Sequence, residues 1–331
     1  MKDPNSLNDR RIEYLDILRG LGIIFIVIGH ISYNDTMLNW LYSFHVPLFF
    51  FAAGAVYKKR PVTDDLKRRA FTVLVPYFSF GASELIYWQL LERRFRPSEM
   101  SFGQSVLGLL SGQYDRLDFN SHLWFLPCFF VTVVLFNALV NVGGKKLAYA
   151  VTAAMSVVYI FVPFPELPFG INRVFRHIGF YAAGTPVSGL NAAEKFSKQN
   201  MALKISEAVL LLAASVTLSY LGLTAGAMHF VSALAGTGGV FAVSLIIGKC
   251  RPLQYLGRIS LCILCIHGIV YRILLKLLSI LLSADTDAIR EQTYWVIPAA
   301  ALTLAVCAGA YEIIARTVPI MIGKRRTKKE P

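Results

Sequence analysis

Asp16, Arg19 and His30 stand in one apolar stretch, in the run Asp16-Ile-Leu-Arg19-Gly followed ten residues later by Gly29-His30. At about 100° per residue, the eleven-residue step brings His30 to within roughly 20° of the Arg19 face, about 16 Å further along a helix axis. Asp16 sits one turn below Arg19 on the same stripe, where the two can pair. A charged or titratable group at membrane depth costs a few kcal/mol even on insertion scales, so each is a functional candidate. A guanidinium at one end of the stripe suits stabilisation of developing negative charge. An imidazole at the other end titrates near neutral pH and suits general-base work. A snorkelling arginine with its salt bridge and a packed histidine account for the same residues without chemistry.

Other polar residues in apolar stretches extend the set. His45, in Phe44-His45-Val46-Pro47, lies toward the same end as His30 because the break between their blocks is short, and two imidazoles at similar depth suggest a shared cavity. Glu84 falls inside a third block and is suited to accept a histidine ring N–H, as carboxylates do in catalytic pairs. His122 and Trp124 open a later block, where aromatic residues serve equally well as interface anchors. Arg173, Arg176 and His177 cluster at the outer end of another, able either to meet an anionic group or to snorkel. His267 lies mid-block and is a candidate for a cavity wall, whereas Glu312 and Arg316, four apart at a helix end, read as a structural pair. Cys262 and Cys265 have redox spacing but stand in an apolar helix with no second pair for zinc, so packing explains them, and no metal site is expected. A Gly-rich phosphate loop, a nucleophile elbow and an H-E-x-x-H motif are all missing from the sequence.

The elements that must position these groups follow from composition. The chain is 55% hydrophobic and only 16% charged, against about 25% charged in a soluble domain. Its mean hydropathy is +0.54. The apolar residues come in long blocks, which excludes a disordered chain, a disulfide-stapled secreted domain and an ordinary soluble enzyme. A span needs about 20 apolar residues. That rule predicts an all-α integral membrane bundle of about ten transmembrane helices, near 12–32, 37–57, 70–92, 122–142, 147–163, 170–189, 203–222, 229–249, 257–282 and 294–318.

The net charge of +13 is explained by topology rather than by a nucleic-acid partner. Basic residues concentrate in the N-terminal segment (Lys2, Arg10, Arg11), in the break from Lys58 to Arg69, and in later alternate breaks that include Lys145, Lys195 and Arg258. The tail adds Lys324, Arg325, Arg326, Lys328 and Lys329, while the opposite breaks hold only Arg93, Arg94, Arg96, Arg116 and Arg290. The positive-inside rule then places both termini in the cytoplasm and requires an even number of spans. No cleavable signal peptide is expected, because Asp16 and Arg19 interrupt the first block. Residues 1–331 read as a single transmembrane domain with basic tails at 1–11 and 319–331. The stretch from Phe102 to Leu110 is expected to form a short helix in the membrane interface.

Taken in order, these residues resemble the membrane-bound acyltransferase family 3. The resemblance begins with Tyr14-Leu15-Asp16, Arg19-Gly20 and His30, continues through Phe44-His45-Val46-Pro47-Leu48, Val75-Pro76-Tyr77 and His122-Leu123-Trp124, and goes on to Gly179-Phe180-Tyr181 and Leu256-Gly257-Arg258 before His267. It is most similar to the short fucose 4-O-acetylase-like members that modify exopolysaccharide and related sugars.

The resemblance implies a ten-helix enzyme in the bacterial cytoplasmic membrane. Such an enzyme moves an acetyl group from cytoplasmic acetyl-CoA to a hydroxyl of an extracytoplasmic or lipid-linked glycan. Acetyl-CoA is then a substrate, and no permanently bound cofactor is expected. Arg19, His30, His45 and Glu84 become the catalytic candidates. Arg19, Lys67, Arg68 and Arg69 become the donor-binding set, and His122, Trp124, Arg173, Arg176 and His267 the acceptor-binding set. The chain departs from the family at Leu66-Lys67-Arg68-Arg69-Ala70, where the charges of an R-x-x-R motif are present without its spacing. A multispan transporter or flippase with an intramembrane His/Arg site is the alternative reading, since such groups also build proton relays.

Overall fold

The computed structural model describes residues 4–187, 196 and 198–325, with side chains from residue 13 onward. Its fold is all-helical, 83% helix with no strand among the described residues. Lys2, Lys195, Arg326, Lys328, Lys329 and the side chains of Arg10 and Arg11, all used in the topology argument, lie outside the described residues.

Local sequence explains most helix boundaries. Helix α1 runs Pro4–Ile31, and α2 runs Asp35–Gly54 behind Asn34, whose side chain accepts the Met37 N–H at 2.9 Å. Helix α3, Val62–Arg69, has Asp64 and Asp65 in its first turn and Lys67, Arg68 and Arg69 in its last, which complements the helix dipole. It passes through a π-helical turn at Ala70–Leu74 into α4, Val75–Leu90. The wider turn sits just before Pro76, which has no N–H to continue the regular ladder. Helix α5, Phe102–Ser111, carries a Ser101/Gln104 capping box and ends at Gly112 with φ +66°, so the short helix expected from Phe102 to Leu110 forms. The remaining helices are α6 (Phe125–Phe161), α7 (Ile171–Gly184), α8 (Met201–Tyr220), α9 (Gly226–Ile247), α10 (Arg251–Leu282), α11 (Thr286–Glu291) and α12 (Thr293–Thr317).

Among the described residues, seven helical segments are long and apolar enough to cross a membrane: Glu13–Ile31, Val62–Leu90, Ser121–Phe161, Met201–Tyr220, Gly226–Ile247, Arg251–Leu282 and Thr293–Thr317. Ten were expected. The fourth and fifth expected blocks form one helical segment, α6, whose 37 residues amount to about 55 Å, well beyond a hydrocarbon core of about 30 Å. Its backbone breaks at Gly143 and Gly144 (φ −137° and +74°), the position where the sequence separates those two blocks. Helix α2 (20 residues) and α7 (14 residues) match the other two expected blocks but are not among the seven.

The chain divides into two compact units. The first comprises Met1–Tyr57, Phe180–Ile263 and Ile269–Ala308; the second comprises Lys58–Gly179, Leu264–Gly268 and Gly309–Pro331.

In the first unit helix backbones come into direct contact at glycines. A Cβ at Gly20 would lie 2.1 Å from the Leu253 carbonyl oxygen, and one at Gly257 would lie 1.9 Å from that of Asp16, so α1 and α10 pack with nothing between them. Gly54 and Gly184 do the same for α2 and α7, against Tyr181 and Phe51.

In the second unit the buried Tyr77 hydroxyl donates to the Leu109 carbonyl at 2.7 Å, tying α4 to α5. Asn137 and Asn141 of α6 hold the backbone of Arg60 ahead of the basic α3, with Asn137 bonding both its N–H (3.3 Å) and its carbonyl (3.0 Å). All five cysteines are thiols, and Cys262 and Cys265 are buried as packing residues.

Candidate active site

In the first unit, the lower half of the α1 stripe is an electrostatic cluster. Asp16 is buried, 3.6 Å from Arg19 and 4.0 Å from Arg258 of α10, so one carboxylate sits between two guanidiniums. Arg19 also donates to the Ala52 carbonyl of α2 at 3.4 Å. These partners hold the guanidinium against α2, beside the close backbone contacts at Gly20 and Gly257.

The upper half of the stripe presents His30. Its Nδ1 lies 3.0 Å from the Tyr42 hydroxyl, and its ring centre is 6.4 Å from that of His45. The buried His45 donates Nδ1–H to the Leu41 carbonyl at 2.6 Å, which leaves Nε2 as the acceptor nitrogen of the neutral ring. Tyr42 lies edge-on to both imidazoles, at 5.7 Å from His30 and 4.8 Å from His45. The structure thus brings His30 and His45 together and adds Tyr42, which sequence reasoning missed.

It adds Arg290 as well, which the sequence argument counted only as an outer cation. From α11, Arg290 donates Nε–H to the Ile31 carbonyl (2.9 Å) and an Nη2–H to the His30 carbonyl (3.1 Å). It also bonds the Tyr33 hydroxyl, and its guanidinium lies over the Tyr33 ring. The last carbonyls of a helix have no partner within it and carry the negative end of its dipole, so a guanidinium there both satisfies and stabilises them. Hydrogen bonds to a charged group contribute about 1.5–3 kcal/mol. Arg290→Gln is accordingly expected to lower stability by about that amount, read as a drop in the thermal unfolding midpoint in detergent. An unchanged midpoint would show that α1 ends where it does without this clamp.

In the second unit, Glu84 of α4 is buried and accepts a short hydrogen bond from the side-chain amide of Asn120. Asn120 Nδ2 also donates to the Cys265 carbonyl at 2.9 Å, and its Oδ1 lies 2.8 Å from His122 Nδ1. Asn120 thus bonds both Glu84 and the His122 ring. The His122 and His267 rings are 4.6 Å apart. Trp124 stacks on His177 at 5.8 Å, and Arg173 lies over both Trp124 (4.7 Å) and Tyr114 (4.4 Å) while pairing with Glu166 at 2.5 Å. Arg176 is hydrogen-bonded to Tyr159. Among the donor-binding candidates, Arg69 pairs with the buried Asp65 at 3.4 Å, and Arg60 and Arg69 both bear electrostatically on Arg68.

Intramembrane cations and imidazoles fit several chemistries. An acyltransferase domain model, that of acyltransferase family 3, matches residues 12–312. The chain belongs to acyltransferase family 3. The match takes in both units and every candidate residue described above. No curated protein and no solved structure matches the chain. As a family 3 acyltransferase with seven helices among the described residues long and apolar enough to cross a membrane, the protein is an integral membrane enzyme.

Proposed function

We propose that this acyltransferase moves an acetyl group from cytoplasmic acetyl-CoA to a hydroxyl of an extracytoplasmic or lipid-linked glycan, as in the short fucose 4-O-acetylase-like group. The observation that carries the reading is the α1 stripe. One helix presents a packed guanidinium at Arg19 and, eleven residues on, an imidazole at His30, a rise of about 16 Å.

In this reading His30 takes the proton from the acceptor hydroxyl as its oxygen attacks the thioester carbonyl. Arg19, about 16 Å away along α1, binds the anionic part of the donor and so positions the thioester for attack. The thioester C–S bond then breaks, and the proton leaves with coenzyme A as its thiol. Asp16 holds Arg19 in place, while His45 and Glu84 support the proton transfers. Lys67, Arg68 and Arg69 supply positive charge for the donor phosphates, and His122, Trp124, Arg173, Arg176 and His267 serve the acceptor. The ten-span topology with cytoplasmic termini in the bacterial inner membrane belongs to the same proposal, with α2, α7 and the two limbs of α6 completing the count.

The transporter reading is not favoured, since the family match is to an acyltransferase. The deciding experiment supplies radiolabelled acetyl-CoA to the inside of membrane vesicles with and without the protein. Protein-dependent release of coenzyme A, with label entering glycan, is expected. Mass spectrometry of surface glycans should show a gain of one acetyl unit. Proton uptake without coenzyme A release would overturn the proposal.

A further inference from the structure

The amide of Asn120 is buried and has all of its hydrogen-bonding capacity in use. Its Nδ2 faces the Glu84 carboxyl group and the Cys265 carbonyl, 2.9 Å away, and the carbonyl can only accept. Its Oδ1 faces the His122 backbone N–H at 3.1 Å, which can only donate. A flipped amide would set an NH2 against a backbone N–H and a carbonyl oxygen against another carbonyl, so the orientation is determined by chemistry. It follows that the oxygen faces His122 Nδ1, 2.8 Å away, and that this nitrogen carries the proton. The neutral ring then has Nε2 as its acceptor atom. His267 has the same polarity, because its Nδ1 lies 2.9 Å from the Leu264 carbonyl, which can only accept.

We infer that Asn120 is a positioning residue: by relaying Glu84 to His122 it holds that histidine as the Nδ1–H tautomer, so that Nε2 accepts a hydrogen bond from a hydroxyl of the acyl acceptor. This deepens the proposed function and rests on its assignment of His122 to the acceptor. The site so built selects a ligand group that can donate a hydrogen bond, a hydroxyl or an amine, over an ether or carbonyl oxygen at the same place.

The test uses the full-length protein in nanodiscs with 15N-labelled histidine, the His122 signals being those lost in His122→Gln. At a pH where the ring is neutral, the wild type is expected to be protonated at Nδ1. Asn120→Ala should move the proton toward Nε2. A wild-type ring protonated at Nε2, or an Asn120→Ala ring unchanged, overturns the inference, and the first of these needs no variant to fold.

Turnover of acetyl-CoA in membranes carrying the native acceptor gives a second measure. Asn120→Ala should lose about ten- to a hundredfold, by analogy with groups that orient metal-ligating histidines. It should lose nothing further in a His122→Gln background, whereas a purely structural residue would give multiplying losses. Wild-type membranes that consume no acetyl-CoA would remove the acceptor role while the tautomer measurement still decides what Asn120 does.

Discussion

Replacing His30 with alanine is expected to reduce acetyl transfer by about a hundred- to ten-thousandfold, the usual contribution of a general base. The protein should remain folded in the membrane, because the ring is only part-buried and the carbonyl bonds from Arg290 to the end of α1 do not involve the side chain. The pH dependence carries the sign of the assignment. Only the neutral imidazole accepts a proton, so the wild-type rate should rise as the pH is raised and then level off. His30→Ala should lose that limb together with the rate. Tyr42→Phe removes the hydroxyl 3.0 Å from Nδ1 and should give a smaller loss while keeping the limb. Full activity in His30→Ala would take the proton-accepting role away from this residue, and turnover of labelled acetyl-CoA measures it directly.

The second large effect is on stability and concerns the glycines beside the Asp16–Arg19 cluster. Gly257→Val would place a Cβ 1.9 Å from a backbone oxygen of α1, and Gly20→Val would do the same 2.1 Å from one of α10. Backbone cannot rotate aside as a side chain can, so the two helices must separate. Overpacking costs typically about 1–3 kcal/mol, occasionally more. Each substitution should fall at or above the top of that range, and the pair together should prevent recovery of folded protein.

Separating α1 from α10 also moves Asp16 away from Arg258, so the survivors should lose activity beyond their loss of folded protein. Gly309→Ala is the control of opposite sign. It lies within α12 with nothing inside 4 Å of the added carbon, and alanine is favoured over glycine in a helix by about 1 kcal/mol. Unfolding midpoints and the yield of monodisperse protein in detergent compare the three. A tolerated Gly257→Val would show that the helix crossing does not need the direct backbone contact.

Much of this protein is legible in local sequence because the relevant physics is local. The apolar blocks become helices, and the eleven-residue step from Arg19 to His30 needs only the helical repeat to be seen. Asp65 and Arg69, or Glu312 and Arg316, pair as their four-residue spacing predicts. Where the helices cross the membrane was less legible. Hydropathy separates the limbs of α6 at Gly143 and Gly144, yet the chain keeps both in one helical segment with a sharp break, and a window of composition does not report backbone direction.

The partners of the site residues depend on contacts distant along the chain. Arg290 reaches the carbonyls of residues 259 and 260 positions earlier, and Asn120 reaches one 145 positions later. Nothing in the neighbourhood of either residue marks it: one is an arginine in a polar break, the other an asparagine ahead of a span. Composition and helical periodicity by themselves determined that this is a multispan membrane protein with a cation and an imidazole on one stripe. Only the tertiary structure decided that Asp16 lies between Arg19 and Arg258, that Tyr42 meets His30, and that Asn120 bonds both Glu84 and His122. The physical reason is that helix period is a property of a few consecutive residues, whereas hydrogen-bond partners are chosen when separate helices pack, at distances set by side-chain size and by glycines where backbones touch.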